Sequence, residues 1–99
     1  MGRKLYQGND VVIVNAVPQE LTVTPVEEEM LSNLYILNCE KPNQYFELKK
    51  QIKNNQYWEN VASSLEGKDL IEYPEGRKGY SIIGRITQKG IDYVKMNLL

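Results

Sequence analysis

Residues 65–93 read LEGKDLIEYPEGRKGYSIIGRITQKGIDY, and the fold turns on how this stretch is read. Two short apolar runs, Leu70-Ile71 and Ser81-Ile82-Ile83, are separated by Pro74-Glu75-Gly76-Arg77-Lys78-Gly79. The separator is too polar and too glycine-rich to be core, so it predicts an exposed loop between strands at about 69–73 and 80–86. Just before, Gly67 predicts a helix C-cap, since glycine takes the left-handed conformation without a Cβ clash. Just after, the Thr87 hydroxyl predicts a helix start, and Ile91, Val94 and Leu98 share one face of that helix. The order is helix, strand, exposed loop, strand, helix.

Working back from Gly67, Trp58, Val61, Ala62 and Leu65 form the apolar stripe of a helix from about Gln56 to Glu66. Lys41-Pro42-Asn43 breaks the chain, and Asn43 is placed to cap a second helix. In that segment Tyr45, Leu48 and Ile52 recur at i, i+3 and i+7, Lys49, Lys50 and Lys53 occupy other faces, and Asn54-Asn55 ends it. A longer helix begins at Thr24-Pro25, a capping hydroxyl followed by proline at the first helical position. Val26, Met30, Leu34 and Leu37 follow at helical spacing, with Leu31 and Tyr35 beside them, to an end near Asn38-Cys39. Glu27, Glu28 and Glu29 fall in its first turn, where carboxylates offset the positive end of the helix. Consecutive carboxylates on a helix diverge, so capping is preferred over a metal site.

Residues 1–24 read as an N-terminal extended arm and residues 25–99 as the folded domain. The first ten residues have no periodicity and predict a flexible start. Val11-Val12-Ile13-Val14 and Leu21-Thr22-Val23-Thr24 are short strand-like runs broken by Pro18. Left exposed, the β-branched run would be adhesive, so it is expected to be covered by its own domain or by a second copy.

A chain of 99 residues fits one domain with a modest core. Cys39 is the only cysteine, which excludes an intrachain disulfide and a structural zinc site and suggests a reducing, cytoplasmic setting. No apolar run approaches the roughly 20 residues of a membrane span. The chain has no histidine, the commonest general base, and EGRKG lacks the spacing of a phosphate loop. Neither catalysis nor a cofactor is expected. The net charge is −1, but it is uneven: residues 1–40 carry 2 basic and 6 acidic side chains, residues 41–99 carry 10 and 7.

Leu65-Glu66-Gly67-Lys68-Asp69-Leu70-Ile71-Glu72 and Ile86-Thr87-Gln88-Lys89-Gly90 resemble the winged-helix domains of bacterial regulators such as the MarR and PadR families. In those domains a recognition helix runs through glycine into the first wing strand, and the second strand leads through Leu-Thr-x-Lys-Gly into a final helix. Small winged helices of phage and mobile elements are similar. The resemblance covers about residues 26–99 and is specific only in the last third. It implies an α+β winged helix-turn-helix: a three-helix core, a two-stranded β-wing and a C-terminal helix. It also implies binding of double-stranded DNA by a small transcription regulator, as a homodimer through the arm and the C-terminal helix. This sequence departs from the pattern in three ways. It lacks the long dimerisation helices, it has Gly84 where a large side chain is usual, and its third helix carries no Lys or Arg.

On that resemblance, Gln56, Glu59, Asn60 and Ser63 would face the major groove, where Gln and Asn pair with adenine and Glu accepts from cytosine. Lys49, Lys50 and Lys53, with Arg77 and Lys78 at the wing tip, would hold phosphates. Tyr35, Tyr45, Phe46, Trp58 and Tyr93 are expected in the core in preference to a stacking platform for single strands, and Tyr73 and Tyr80 are expected to pair across the wing strands. The neutral third helix, the acidic first helix and the adhesive arm fit a second reading, a protein-interaction module that does not bind DNA.

Overall fold

The computed structural model describes residues 22–99, so the arm readings for residues 1–21 lie outside the described residues. Three helices and three short strands make a small α+β domain, with α1 Pro25–Glu40, β1 Phe46–Glu47, α2 Trp58–Gly67, β2 Ile71–Glu72, β3 Ile83–Ile86 and α3 Gln88–Asn97. The sheet is antiparallel with order β1-β3-β2, so the last strand is the central one. Phe46 pairs with Gly84 and Glu47 with Ile83, while Ile71 pairs with Ile86 and Glu72 with Arg85. No helix among the described residues is long and apolar enough to cross a membrane.

The start of α1 follows from its sequence. Thr24 adopts extended backbone and its hydroxyl accepts from the Glu27 N–H, while the Glu27 carboxylate accepts from the Thr24 N–H at 3.0 Å. The two residues thus satisfy each other's otherwise orphaned donors. Met30, Leu31 and Leu34 are fully buried, and Val26, Tyr35, Ile91, Tyr93 and Leu98 pack around the core they share with Leu48, Leu65, Leu70, Ile71 and Val94.

The second helix expected over 43–54 does not form. Its place is taken by β1 and a 3-10 turn at Leu48–Gln51. The spacing of Tyr45, Leu48 and Ile52 also suits a strand that breaks into a tight turn, and Leu48 and Ile52 still reach the core. What decides between them lies elsewhere in the chain: β3 supplies ladder partners, and the Leu48 N–H continues the ladder to the Ile82 carbonyl at 3.0 Å. The Asn33 amide then fastens the turn to α1 by donating to the Gln51 carbonyl at 2.7 Å. The expected two-stranded hairpin is therefore a three-stranded sheet. A second 3-10 turn, Asn55–Tyr57, precedes α2 and is capped by the Asn54 side chain.

The end of α2 also differs from expectation. Gly67 is the last helical residue, and the left-handed residue is Asp69, with φ 63°. The Lys68 N–H bonds the Ser64 and Leu65 carbonyls, which prolongs the helix by a tight final turn before the chain reverses. Between β2 and β3 the chain makes a 3-10 turn at Pro74–Gly76, in which Glu75 and Gly76 both have positive φ.

Gly84 permits a close approach: a Cβ there would lie 3.2 Å from the Glu72 carbonyl oxygen and from a Leu48 methyl. At the start of α3 the Thr87 hydroxyl accepts from the Gly90 N–H at 3.0 Å and donates to the Asp69 carbonyl at 2.6 Å. One hydroxyl thus caps α3 and pins the turn after α2. Thr87→Val, which keeps the shape and removes both bonds, is expected to lower stability by about 1–2 kcal/mol. A midpoint in chemical denaturation equal to the parent's would show that water replaces the hydroxyl at no cost.

Candidate nucleic-acid interface

All nine residues singled out as DNA contacts are exposed: Lys49, Lys50, Lys53, Gln56, Glu59, Asn60, Ser63, Arg77 and Lys78. They come from three places. Lys49 and Lys50 lie on the 3-10 turn after β1 and Lys53 just beyond it, while Gln56, Glu59, Asn60 and Ser63 run along α2 and its preceding turn. Arg77 and Lys78 lie in the loop between β2 and β3. The inward face of α2, Val61, Ala62 and Leu65, is buried, so burial fixes which α2 residues point to solvent.

Several of these side chains already have partners. Lys50 pairs with Glu47 at 3.3 Å on the open surface, a contact that contributes little to stability. The Lys53 N–H donates to Glu29 at 2.7 Å, which holds the backbone and leaves the ammonium outward. Lys78 lies 3.5 Å from Glu66 of α2. Among the described residues Lys49, Lys53 and Arg77 form no ion pair.

The loop between β2 and β3 therefore folds back on α2 instead of projecting alone. The Tyr80 ring lies against Trp58, with centroids 6.0 Å apart and planes tilted by 47°. Its phenol lies beside Glu59; desolvation first, and then that carboxylate, raise its pKa. This corrects the expectation that Tyr80 pairs with Tyr73 across the strands. Tyr73 is buried in the core, where desolvation and then the Glu66 charge raise its pKa. It also changes what Glu59 and Glu66 do. Glu59, read from the sequence as a groove contact, lies beside the Tyr80 phenol, and Glu66 pairs with Lys78.

The three glutamates of α1 point to three different protein partners. Glu27 takes Lys68 at 2.9 Å, Glu28 accepts from the Tyr93 hydroxyl at 2.9 Å, and Glu29 accepts from Lys53. Among the described residues no group of three or more Cys, Asp or Glu side chains is arranged to hold a metal ion.

A separate polar cleft of about 330 Å³ is lined by residues that include Asn38, Asn43, Glu72, Arg85, Thr87 and Gln88. Arg85 is paired there with Glu72 at 2.6 Å and lies over the Tyr45 ring at 4.7 Å, so its charge is already met on both sides. None of the nine candidate contacts lines this cleft.

No protein-family model matches the chain, and no curated protein or solved structure matches it.

Proposed function

We propose that residues 25–99 form a winged helix that binds double-stranded DNA, as a small transcription regulator of bacterial or phage type. Helix α2 is its recognition helix and the loop between β2 and β3 its wing. The observation that carries this reading is the common exposure of the α2 polar face and of Lys49, Lys53 and Arg77 around it. The strand order β1-β3-β2 supports it, since the loop then rises from the middle and one edge of the sheet beside the start of α2. The α2 face offers amide, carboxylate and hydroxyl groups for base edges, and the lysines and Arg77 offer charge for phosphates.

Binding to labelled genomic duplex fragments, followed by fluorescence anisotropy, tests the reading. The affinity is expected to fall linearly with salt on logarithmic axes, as counterion release requires. Lys49→Glu combined with Arg77→Glu is expected to raise Kd at least about tenfold, or about 1.4 kcal/mol. Both residues are exposed, so the circular dichroism spectrum should not change. No binding to any duplex at low salt would remove this function.

A protein-interaction module is the second reading, and one observation favours it. Met96 at the end of α3 is 82% exposed and Leu99 beyond it 79%, which suits contact with a second copy or another protein. In this reading the same variants leave binding unchanged, and sedimentation shows association that Met96→Lys abolishes.

A further inference from the structure

The Trp58–Tyr80 pair where α2 meets the returning loop, and the exposed Tyr57 and Ile82 beside them in the chain, are not used by duplex recognition. Tyr57 is 60% exposed, Tyr80 53% and Ile82 57%, and Trp58 is half-buried against Tyr80. Tyr80 and Ile82 are both exposed on either side of buried Ser81, whose hydroxyl accepts from the Ile83 N–H and donates to its carbonyl. The Ile82 carbonyl is bonded to the Leu48 N–H, which brings Lys49 next to this surface. Arg77 lies three residues before Tyr80.

We propose that Tyr57, Trp58, Tyr80 and Ile82 form a stacking platform for the unpaired bases of a single-stranded nucleic acid, with its phosphates held by Lys49, Lys53 and Arg77. In a duplex the base faces are covered by their neighbours, and only edges and phosphates are presented to a protein. Exposed rings therefore have nothing to stack on in a duplex. Unpaired bases do present their faces, and aromatic platforms bordered by cations are the general means of holding them. Charge favours nucleic acid over a protein partner: Lys49, Lys53 and Arg77 form no ion pair among the described residues, while Glu66 is met by Lys78. The Trp58–Tyr80 contact also fixes both rings before any base arrives, which lowers the ordering cost of binding. This platform does not depend on the duplex reading above.

Trp58 is the only tryptophan in the chain, so its fluorescence reports directly on the platform. Titration with a thymidine oligomer of about twelve nucleotides, within the span that one small domain covers, is expected to give saturable quenching that weakens with salt. Tyr57→Leu and Tyr80→Leu, which keep apolar bulk and remove the ring, are each expected to raise Kd by about 5- to 150-fold, the loss of one stacked base. Tyr57 has a freely exposed ring, so its variant stays informative if Tyr80→Leu unfolds. Absence of quenching, or an unchanged Kd in the Tyr57→Leu protein, overturns the platform. So does a Trp58 emission that shifts with protein concentration alone, because the surface is then a contact between copies. A blunt DNA hairpin, followed by anisotropy in parallel, keeps the two readings apart. Hairpin binding without oligomer binding overturns the platform alone, and the converse overturns the duplex reading alone.

Discussion

Gly90→Ala is expected to destabilise the domain by about 3 kcal/mol, near the top of the range for overpacking a filled core. An Ala for Gly exchange inside a helix ordinarily stabilises by up to about 1 kcal/mol, so here the sign itself is diagnostic. A Cβ on Gly90 would run into the Leu70 carbonyl oxygen and would lie 2.6 Å from the Ile86 Cγ1. The carbonyl cannot swing aside, because the Thr87 N–H holds it at 3.0 Å. Relief requires α3 to lift from the sheet, and with it Val94, which is buried. The test is the urea midpoint of the variant beside the parent. A midpoint equal to or above the parent's would mean that α3 slides without cost and that the close approach has no energetic weight.

Lys68→Met is expected to cost a similar amount, about 3 kcal/mol, because it leaves a buried carboxylate without its cation. Glu27 is only 6% exposed. Its oxygen accepts from Lys68 and from the Thr24 N–H, while the Lys68 ammonium also reaches the Thr22 carbonyl. Burial alone would push the Glu27 pKa up. Hydrogen bonds from Ser64, Lys68 and Thr24, together with the Lys68 charge, outweigh it and leave the net shift downward from 4.5. A carboxylate with a lowered folded pKa contributes stability that is fully present above its unfolded value and is lost as pH falls through the folded one. The parent should therefore lose stability as pH drops below about 4.5. In Lys68→Met that loss should be smaller, since the charged form is no longer favoured. Parallel stability-against-pH curves for parent and variant would show that the pair contributes nothing to acid sensitivity.

The parts of the fold legible in the sequence are those fixed by nearby residues. Thr24 with Glu27 and Thr87 with Gly90 are caps closed within three residues, and both helices begin where those residues predict. The apolar stripes of α1, α2 and α3 mark their buried faces in the same way. Beyond that range the sequence is silent. Tyr45, Leu48 and Ile52 have helical spacing, yet the segment is drawn into a sheet by β3, which lies more than thirty residues further on. Tyr80 meets Trp58 and not Tyr73 because the loop folds back on α2, where Lys78 also pairs with Glu66. The exposure of the nine contact candidates follows from polarity and helical phase. The partners that Lys50 and Lys78 find do not, since each depends on where another element is brought to rest.

The N-terminal part of α1 carries three adjacent glutamates that close loops of 41, 65 and 24 residues, to Lys68, Tyr93 and Lys53 respectively. Loop-closure entropy grows only as the logarithm of length, so the longest of these is little harder to close than the shortest. More depends on the shared anchor. Once Thr24 and Glu27 have ordered the first turn, the remaining two carboxylates are already in place for their partners. Lys68 at the end of α2, Tyr93 in the middle of α3 and Lys53 beyond the turn after β1 are thus all moored to the start of α1. Such an arrangement favours unfolding as a single event, in which every segment leaves together.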